Sequence, residues 1–375
     1  MNYYEVSEYN DVYFTKAKQA SKADGMNSEV LFQVFQKKNS IFAGGVFVID
    51  MLNEFAEQED KYFTLQIMPD GSKIEPMEPV IHLRGDFQDL VEFETAYLGI
   101  IARCTRIATN VREVVDAANG KPILFFPARF DIPETQFYDG YAAGIGGATG
   151  VSTKKQAEGF ALAKKKHVQP VGTMSHAMIA NFAGDTVRAA LAVAKARPTE
   201  NQTPLVDFHN NCAKTAIEVY LAFKEKGLTL DGVRIDTSEK MIDEGIKPLY
   251  DAELKKMEDR AYTTTDKTIL DMEYHGVNSV LVHHVRKELD AVGATDVKII
   301  VSGGFNAEKI RRFEAERVPA DVYAVGESLL GGANPFTSDV VQLFEGEQVK
   351  PMSKVGREFQ ESKRLKLIIG ELAYV

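Results

Sequence analysis

The chain reads as an α/β protein, a closed or nearly closed β/α barrel preceded by a smaller mixed α+β domain. Three observations lead there. The hydrophobic pattern changes near residue 105, strands and helices alternate with short loops from residue 121 to 326, and 375 residues leave room for two domains or one large domain with insertions. Alternation of that kind implies a parallel sheet. The number of units favours a barrel, with an open doubly wound sheet as the alternative.

Before the change come short apolar runs separated by turn residues: 40–52, 61–68 and 78–87, the last with Gly85-Asp86 as a turn. From 90 to 118 apolar residues recur every three or four positions, predicting one or two long helices closed by Asn119-Gly120. Strands are then expected at 121–130, 203–208, 231–236, 297–304 and 320–326. Helices are expected at 184–196, 212–227, 279–293 and 306–316. The expected division is 1–119, joined by the C-terminal segment 337–375, and a barrel at 120–336 with a helical insertion at 239–278. That insertion, acidic and helix-prone, reads as a solvated surface decoration rather than a lid.

Composition narrows the function. With 44 Lys plus Arg against 54 Asp plus Glu the net charge is −10, which argues against nonspecific binding of nucleic acid or an anionic membrane. The two cysteines, Cys104 and Cys212, are too few for a disulfide framework or a zinc knuckle and read as free thiols. The first residues lack the basic start and apolar stretch of a signal peptide, and no apolar run approaches a membrane span. A cytoplasmic protein is the expectation.

In a parallel α/β sheet, chemistry collects at the carboxyl ends of the strands. Those tails hold Phe126 to Arg129, Asp207 to His209, Arg234 to Asp236, Ser302 to Gly304 and Gly326 to Ser328, with Gly172 to His176 in a loop before a helix. Ser302-Gly303-Gly304 followed by a helix start has the form of an anion cradle, since glycines admit the ligand to backbone N–H groups. A bare turn needing positive φ would look the same. A second glycine turn at 324–332 favours phosphate. Arg234 and Asp236 share one strand face and Asp207 ends the preceding strand. That set suits an anionic group, ribose hydroxyls and hydrated magnesium, or a structural ion-pair network. His176, in GTMSHAM (172–178), is placed to act as nucleophile or general base, or is simply a hydrogen-bonded side chain.

Taken together these motifs resemble the nicotinate phosphoribosyltransferase family, in particular its shorter archaeal-type branch. The resemblance runs from about residue 10 to 330. It rests on DVYF (11–14), EVLFQVFQKK (29–38), EFETAYLGIIARCTRIAT (92–109), FFPARF (125–130), GGATGVST (146–153), GTMSHAM, VRID (233–236), VRKELDAVG (285–293), VSGGFNAEKI (301–310) and AVGESL (324–329). It implies an irregular β/α barrel of the type II phosphoribosyltransferase fold. It also implies transfer of phosphoribosyl from phosphoribosyl pyrophosphate to nicotinate in NAD salvage, with Mg2+ and with ATP as co-substrate.

On this resemblance His176 would be a phosphohistidine and Asp207 and Asp236 the acids near ribose and magnesium. Arg234 would meet the nicotinate carboxylate, and Phe126, with Tyr13 from a partner subunit, would stack on the pyridine ring. Arg129 would contact phosphoribosyl or base, Thr153 would bind substrate, and Ser302, Gly303, Gly304 and Gly326 would cradle the 5-phosphate. A site shared through Tyr13 implies a homodimer or larger homo-oligomer. Departures from the family pattern are RIDTSE (234–239), Glu327 beside the cradle, and Thr153-Lys154. The other readings are quinolinate phosphoribosyltransferase, which needs a second basic cluster where the sequence shows only the pair Arg129 and Arg234, so that nicotinate is preferred, a nicotinamide-using enzyme, and an inactive nucleotide-binding relative.

Overall fold

Alternation of buried and half-buried residues in the run FTLQI makes Phe63–Ile67 a strand with one face on a core. The computed structural model describes residues 6, 8–259 and 263–368. Its strands in chain order are β1 (Glu29–Gln36), β2 (Ser40–Ile41), β3 (Phe63–Ile67), β4 (Lys73–Ile74), β5 (Ile81–Asp86), β6 (Ile123–Phe125), β7 (Gly150–Val151), β8 (Gly232–Ile235), β9 (Lys298–Val301), β10 (Val322–Val325), β11 (Phe336–Glu345), β12 (Gln348–Pro351) and β13 (Lys366–Ile368).

The first sheet has the order β12-β11-β1-β5-β3-β13, so strands from residue 336 onward complete a sheet begun before residue 90. The helix Gly45–Glu59 covers one face with Val48, Met51, Leu52 and Phe55. The buried amide of Gln33, on β1, bonds Glu358 O at 3.3 Å and Gln360 N at 2.8 Å, tying down the C-terminal segment. Gly85 lies inside β5 rather than in the expected turn. A Cβ there would meet Leu90 and Phe63 at 2.9 and 3.0 Å, so close packing requires the glycine.

The helix Glu94–Ala117 joins the two parts, burying Ile101, Cys104, Ile107, Ala108, Val111 and Val114 at the expected spacing. It ends at Asn119 and Gly120, both with positive φ. Beyond it a parallel sheet runs β7-β6-β10-β9-β8. The expected strand at 203–208 reduces to one bridge, Leu205 to Arg234, because Pro204 brings no N–H and the chain turns at Asp207. Among the described residues no pairing joins this edge to β7, and the barrel is irregular. Helices Cys212–Glu225, Ser279–Ala291 and Ala307–Ala315 follow the bridge, precede β9 and follow β9.

The insertion is not a solvated decoration. It carries the helices Lys247–Glu258 and Thr264–Tyr274, and Ile246, Tyr250, Leu270, Tyr274 and Val277 are buried in the barrel core. Fully buried Asp243 accepts from Cys212 N and Gly245 N at 2.8 and 2.9 Å, anchoring the insertion to the helix after the bridge. Both cysteines are free and buried. Among the described residues no helix is long and apolar enough to cross a membrane.

Candidate active site

The tails of β6, β8, β9 and β10 bring the expected side chains to one end of the sheet. Arg234, on β8, points its guanidinium across the mouth: Nε donates to Ser302 Oγ at 2.8 Å, Nη1 to Thr173 Oγ1 at 3.0 Å and Nη2 to Asp236 Oδ2 at 3.0 Å. Three of its five N–H donors are thereby engaged and two remain. Its Cζ lies 5.6 Å from the centroid of the ring of Phe126, the residue that follows β6. Ser302 in turn donates to Asp236 Oδ1 at 2.7 Å, so both oxygens of Asp236 are held.

Asp207 begins the turn after the bridge, and its Oδ2 lies 2.9 Å from His176 Nε2. Ser175 caps the short helix His176–Asn181, accepting from Met178 N, and sets the imidazole at its first position. The Asp207 side chain is buried while that of His176 is 45% exposed. Burial raises the Asp207 carboxyl above its ordinary value, His176 opposing. Its Oδ1 is buried with no hydrogen-bond partner. That oxygen is free to accept a hydrogen bond or a cation.

The glycine turn expected to cradle an anion follows β9. Gly303 and Gly304 have φ of 81° and 65°, the left-handed region, and a Cβ on Gly303 would sit 3.3 Å from Asp236 Oδ1. Asn306 caps the helix Ala307–Ala315 by accepting from Lys309 N at 2.9 Å. Lys309 Nζ lies 3.5 Å from Gly303 O and 4.4 Å from the centre of the Phe305 ring. Burial and the neighbouring Arg312 push its ammonium down to about 8. A groove of about 590 Å3 opens from Gly304 and Lys309 to Thr268, Met272 and His275 of the insertion. Gly326 faces the loop after β6, since a Cβ there would lie 3.1 Å from the Phe130 ring. Glu327 is exposed at the next position.

Three expected residues stand apart from this cluster. Thr153 caps the helix Lys154–Lys164 in a reciprocal box with Gln156, and its hydroxyl donates to Gln136 Oε1 at 2.8 Å. Arg129 is exposed, its guanidinium 5.3 Å from the Phe130 ring centre. Tyr13 is 59% exposed on the helix Val12–Asp24, in contact with Phe14. Thr173, Lys309 and Arg106 were not singled out in the sequence. Thr173 sat unnoticed inside the GTMSH motif, and Lys309 and Arg106 carry only the helical spacing that faces them inward.

For magnesium the protein offers little besides Asp207 Oδ1, and among the described residues no three ligating side chains converge. That fits an ion carried on phosphates and water, not a caged one.

Comparison with known proteins gives the fold relatives. Residues 11–105 match the family model described as quinolinate phosphoribosyl transferase, N-terminal domain. A nicotinate phosphoribosyltransferase of Mycobacterium tuberculosis is 27% identical over 278 residues, covering 72% of this chain and 51% of that protein. The crystal structure of nicotinate-nucleotide pyrophosphorylase from Pyrococcus furiosus superimposes with a TM-score of 0.74 at 26% identity, covering 99% of this chain and 85% of that one. The chain is similar to nicotinate phosphoribosyltransferases and shares the type II phosphoribosyltransferase fold. Human nicotinic acid phosphoribosyltransferase has the same fold, with a TM-score of 0.62 at 15% identity over 89% of this chain and 75% of that one. The chain spans about half the length of the mycobacterial relative.

Proposed function

We propose that this protein is a nicotinate phosphoribosyltransferase, making nicotinate mononucleotide and pyrophosphate for NAD salvage in the cytoplasm. The observation that carries the reading is the pairing of Arg234 with Phe126: an aromatic face for a pyridine ring beside a guanidinium with two donors left for a carboxylate. The curated mycobacterial relatives support nicotinate as the base.

In the reaction the pyridine nitrogen gives its lone pair to the anomeric carbon as the bond to pyrophosphate oxygen breaks, and the oxygen leaves with the bonding pair. Positive charge develops on the ribose. Asp236, fixed by Ser302 and Arg234, and Asp207, with one unpaired oxygen, are the anions available to it. The 5-phosphate sits on the turn Ser302-Gly303-Gly304 and against Gly326. Magnesium, when bound to the phosphates, neutralises the leaving group.

ATP stimulation belongs to His176. With Nε2 held by Asp207, Nδ1 is the nitrogen left to attack the γ-phosphorus, ADP leaving with the bonding pair. The added negative charge beside the site orders its cationic groups, and water then releases phosphate. The domain division at 119/120, with 337–375 joined to the first part, belongs to the same proposal. So does a homodimer in which Tyr13 of one copy completes the site of the other.

A specific observation favours a second reading, quinolinate phosphoribosyltransferase. A second ring carboxylate requires a second cationic group, and the helix Glu94–Ala117 supplies Arg106, with no carboxylate in ion-pair distance among the described residues, beside the loop after β10. The test is product formation from phosphoribosyl pyrophosphate and magnesium with nicotinate, nicotinamide or quinolinate, each with and without ATP. Mononucleotide from nicotinate supports the first reading. Mononucleotide with carbon dioxide from quinolinate alone overturns it in favour of the second.

A further inference from the structure

Arg103, Arg106 and Asn110 recur at spacings of three and four along the helix Glu94–Ala117, so they share one face. Arg103 reaches the loop after β6, where Nη2 meets Asp131 Oδ2 at 2.8 Å, and the helix Gln136–Gly146, where Nε meets Asp139 Oδ1 at 2.8 Å. Asn110 reaches the loop after β10, donating to Leu329 O at 3.1 Å and Gly331 O at 3.0 Å. Arg106 lies between them. Its one hydrogen bond among the described residues is a long contact of 3.4 Å from Nη1 to Gly332 O.

Its Nε–H is buried and has no acceptor. Asp131 and Asp139 are both taken by Arg103, and among the described residues no carboxylate lies within ion-pair distance of Arg106. A guanidinium stays charged in any protein environment, so these donors cannot be relieved by losing a proton. Burial and the charge of Arg103 both act against the charged form at this place, which an arriving anion would reverse. Arg234 differs, because each of its three nitrogens already has an acceptor.

We propose that Arg106 is an anion-binding residue of the site, gripping a substrate oxyanion, phosphoryl or carboxylate, between the loops that follow β6 and β10. The inference rests on the phosphoribosyltransferase reading above. The chemistry is that of a planar fork with vacant parallel donors, which suits a two-oxygen acceptor better than the lone carbonyl of Gly332.

The experiment uses the full chain with R106Q and R106K, melting curves on all three proteins, and calorimetric titration with phosphoribosyl pyrophosphate, inorganic pyrophosphate, nicotinate and quinolinate. R106Q should bind one ligand class at least tenfold more weakly, with R106K recovering part of the loss. Weakening confined to phosphoribosyl pyrophosphate and pyrophosphate assigns a phosphoryl group; weakening confined to the pyridine acids assigns a carboxylate. Where R106Q fails to fold, R106K decides, because a lysine keeps the charge but not the fork, and wild-type affinity for all four ligands in that variant overturns the grip. Wild type that binds these ligands while R106Q binds them equally well overturns the inference and leaves the functional reading standing. Wild type that binds none of the four overturns both.

Discussion

Ser302 and Arg234, on neighbouring strands, are joined by a hydrogen bond of 2.8 Å from Nε to Oγ, and the same hydroxyl passes its proton toward Asp236 at 2.7 Å. The serine of the glycine turn therefore links the cradle to the arginine and acid of the next strand. One hydroxyl sets the angle of the guanidinium over Phe126 and holds Asp236 in place.

Removing that hydroxyl should cost activity without unfolding the sheet. A hydrogen bond to a charged group is worth about 1.5–3 kcal/mol, so S302A should lower kcat/KM for nicotinate roughly tenfold to a hundredfold. R234K, which keeps the charge but not the fork, should raise KM for nicotinate more than it lowers kcat. Steady-state kinetics with nicotinate varied checks both; unchanged constants in S302A would sink the linkage.

The His176–Asp207 pair separates stimulation from transfer. H176A should keep basal transfer and lose the response to ATP, whereas D207N should lose both, since Asp207 also offers an unpaired oxygen to the site. Rates measured with and without ATP, together with trapping of labelled phosphate on the protein, discriminate the two. Equal loss of basal transfer in H176A would make the histidine part of the transfer step itself.

Much of this was legible in the chain because it is carried by local signals. The strand tails and the glycine turn leading into a helix are short-range features, and Phe126, Arg234, Asp236 and Ser302 stand together at the strand ends. Gly85 misled because a glycine required by a neighbouring strand looks in sequence like one required by a turn. The segment 203–208 has the composition of a strand, yet Pro204 and the turn at Asp207 leave it one bridge. The acidic surface of the insertion hid its buried Tyr250, Leu270 and Tyr274. Arg106 was invisible for a different reason: its meaning depends on which acids Arg103 occupies, a fact of tertiary structure.

Close packing of two helices offers a stability test away from the chemistry. An added Cβ would come within 2.0 Å of Gln156 O at Gly140 and within 1.9 Å of Phe137 O at Gly159, where the helices Gln136–Gly146 and Lys154–Lys164 cross. Backbone cannot yield as a side-chain tip does. G140A and G159A should each destabilise the protein by about 3 kcal/mol or more, seen as a lowered denaturation midpoint or insoluble expression. G99A, at a position with open space, is the control and should melt close to wild type.

Glu94 should make stability depend on pH. Burial raises its carboxyl to about 7, with Asp339 and Asp11 adding to the rise and Ser338 opposing it. A folded value above the unfolded one means the native state holds the proton more tightly. The stabilisation is complete below the unfolded value, near 4.5, and is lost as pH climbs through about 7. E94Q, which cannot ionise, should be more stable than wild type by roughly 1–2 kcal/mol at pH 8, allowing for solvent screening, and nearly equal at pH 5. Denaturant titrations at the two pH values read this directly.

Lys309 gives the opposite sign for binding. Its ammonium, lowered to about 8 chiefly by burial and then by Arg312, is charged below that value and neutral above it. Beside the glycine turn only the charged form attracts phosphate. The kcat/KM for phosphoribosyl pyrophosphate should therefore be flat to about pH 8 and fall above it, and K309M should be weaker throughout but lack that descending limb. The second ionisation of phosphate, near 6, is complete by then and does not confound the profile. Stability should move the other way, because a lysine whose folded value lies below its ordinary 10.5 penalises the native state while protonated, and the native form sheds that proton before the unfolded form does. Wild type should thus gain stability between about pH 8 and 10 over the same interval in which it loses affinity. A profile in which affinity holds constant to pH 10 would remove Lys309 from the phosphate site.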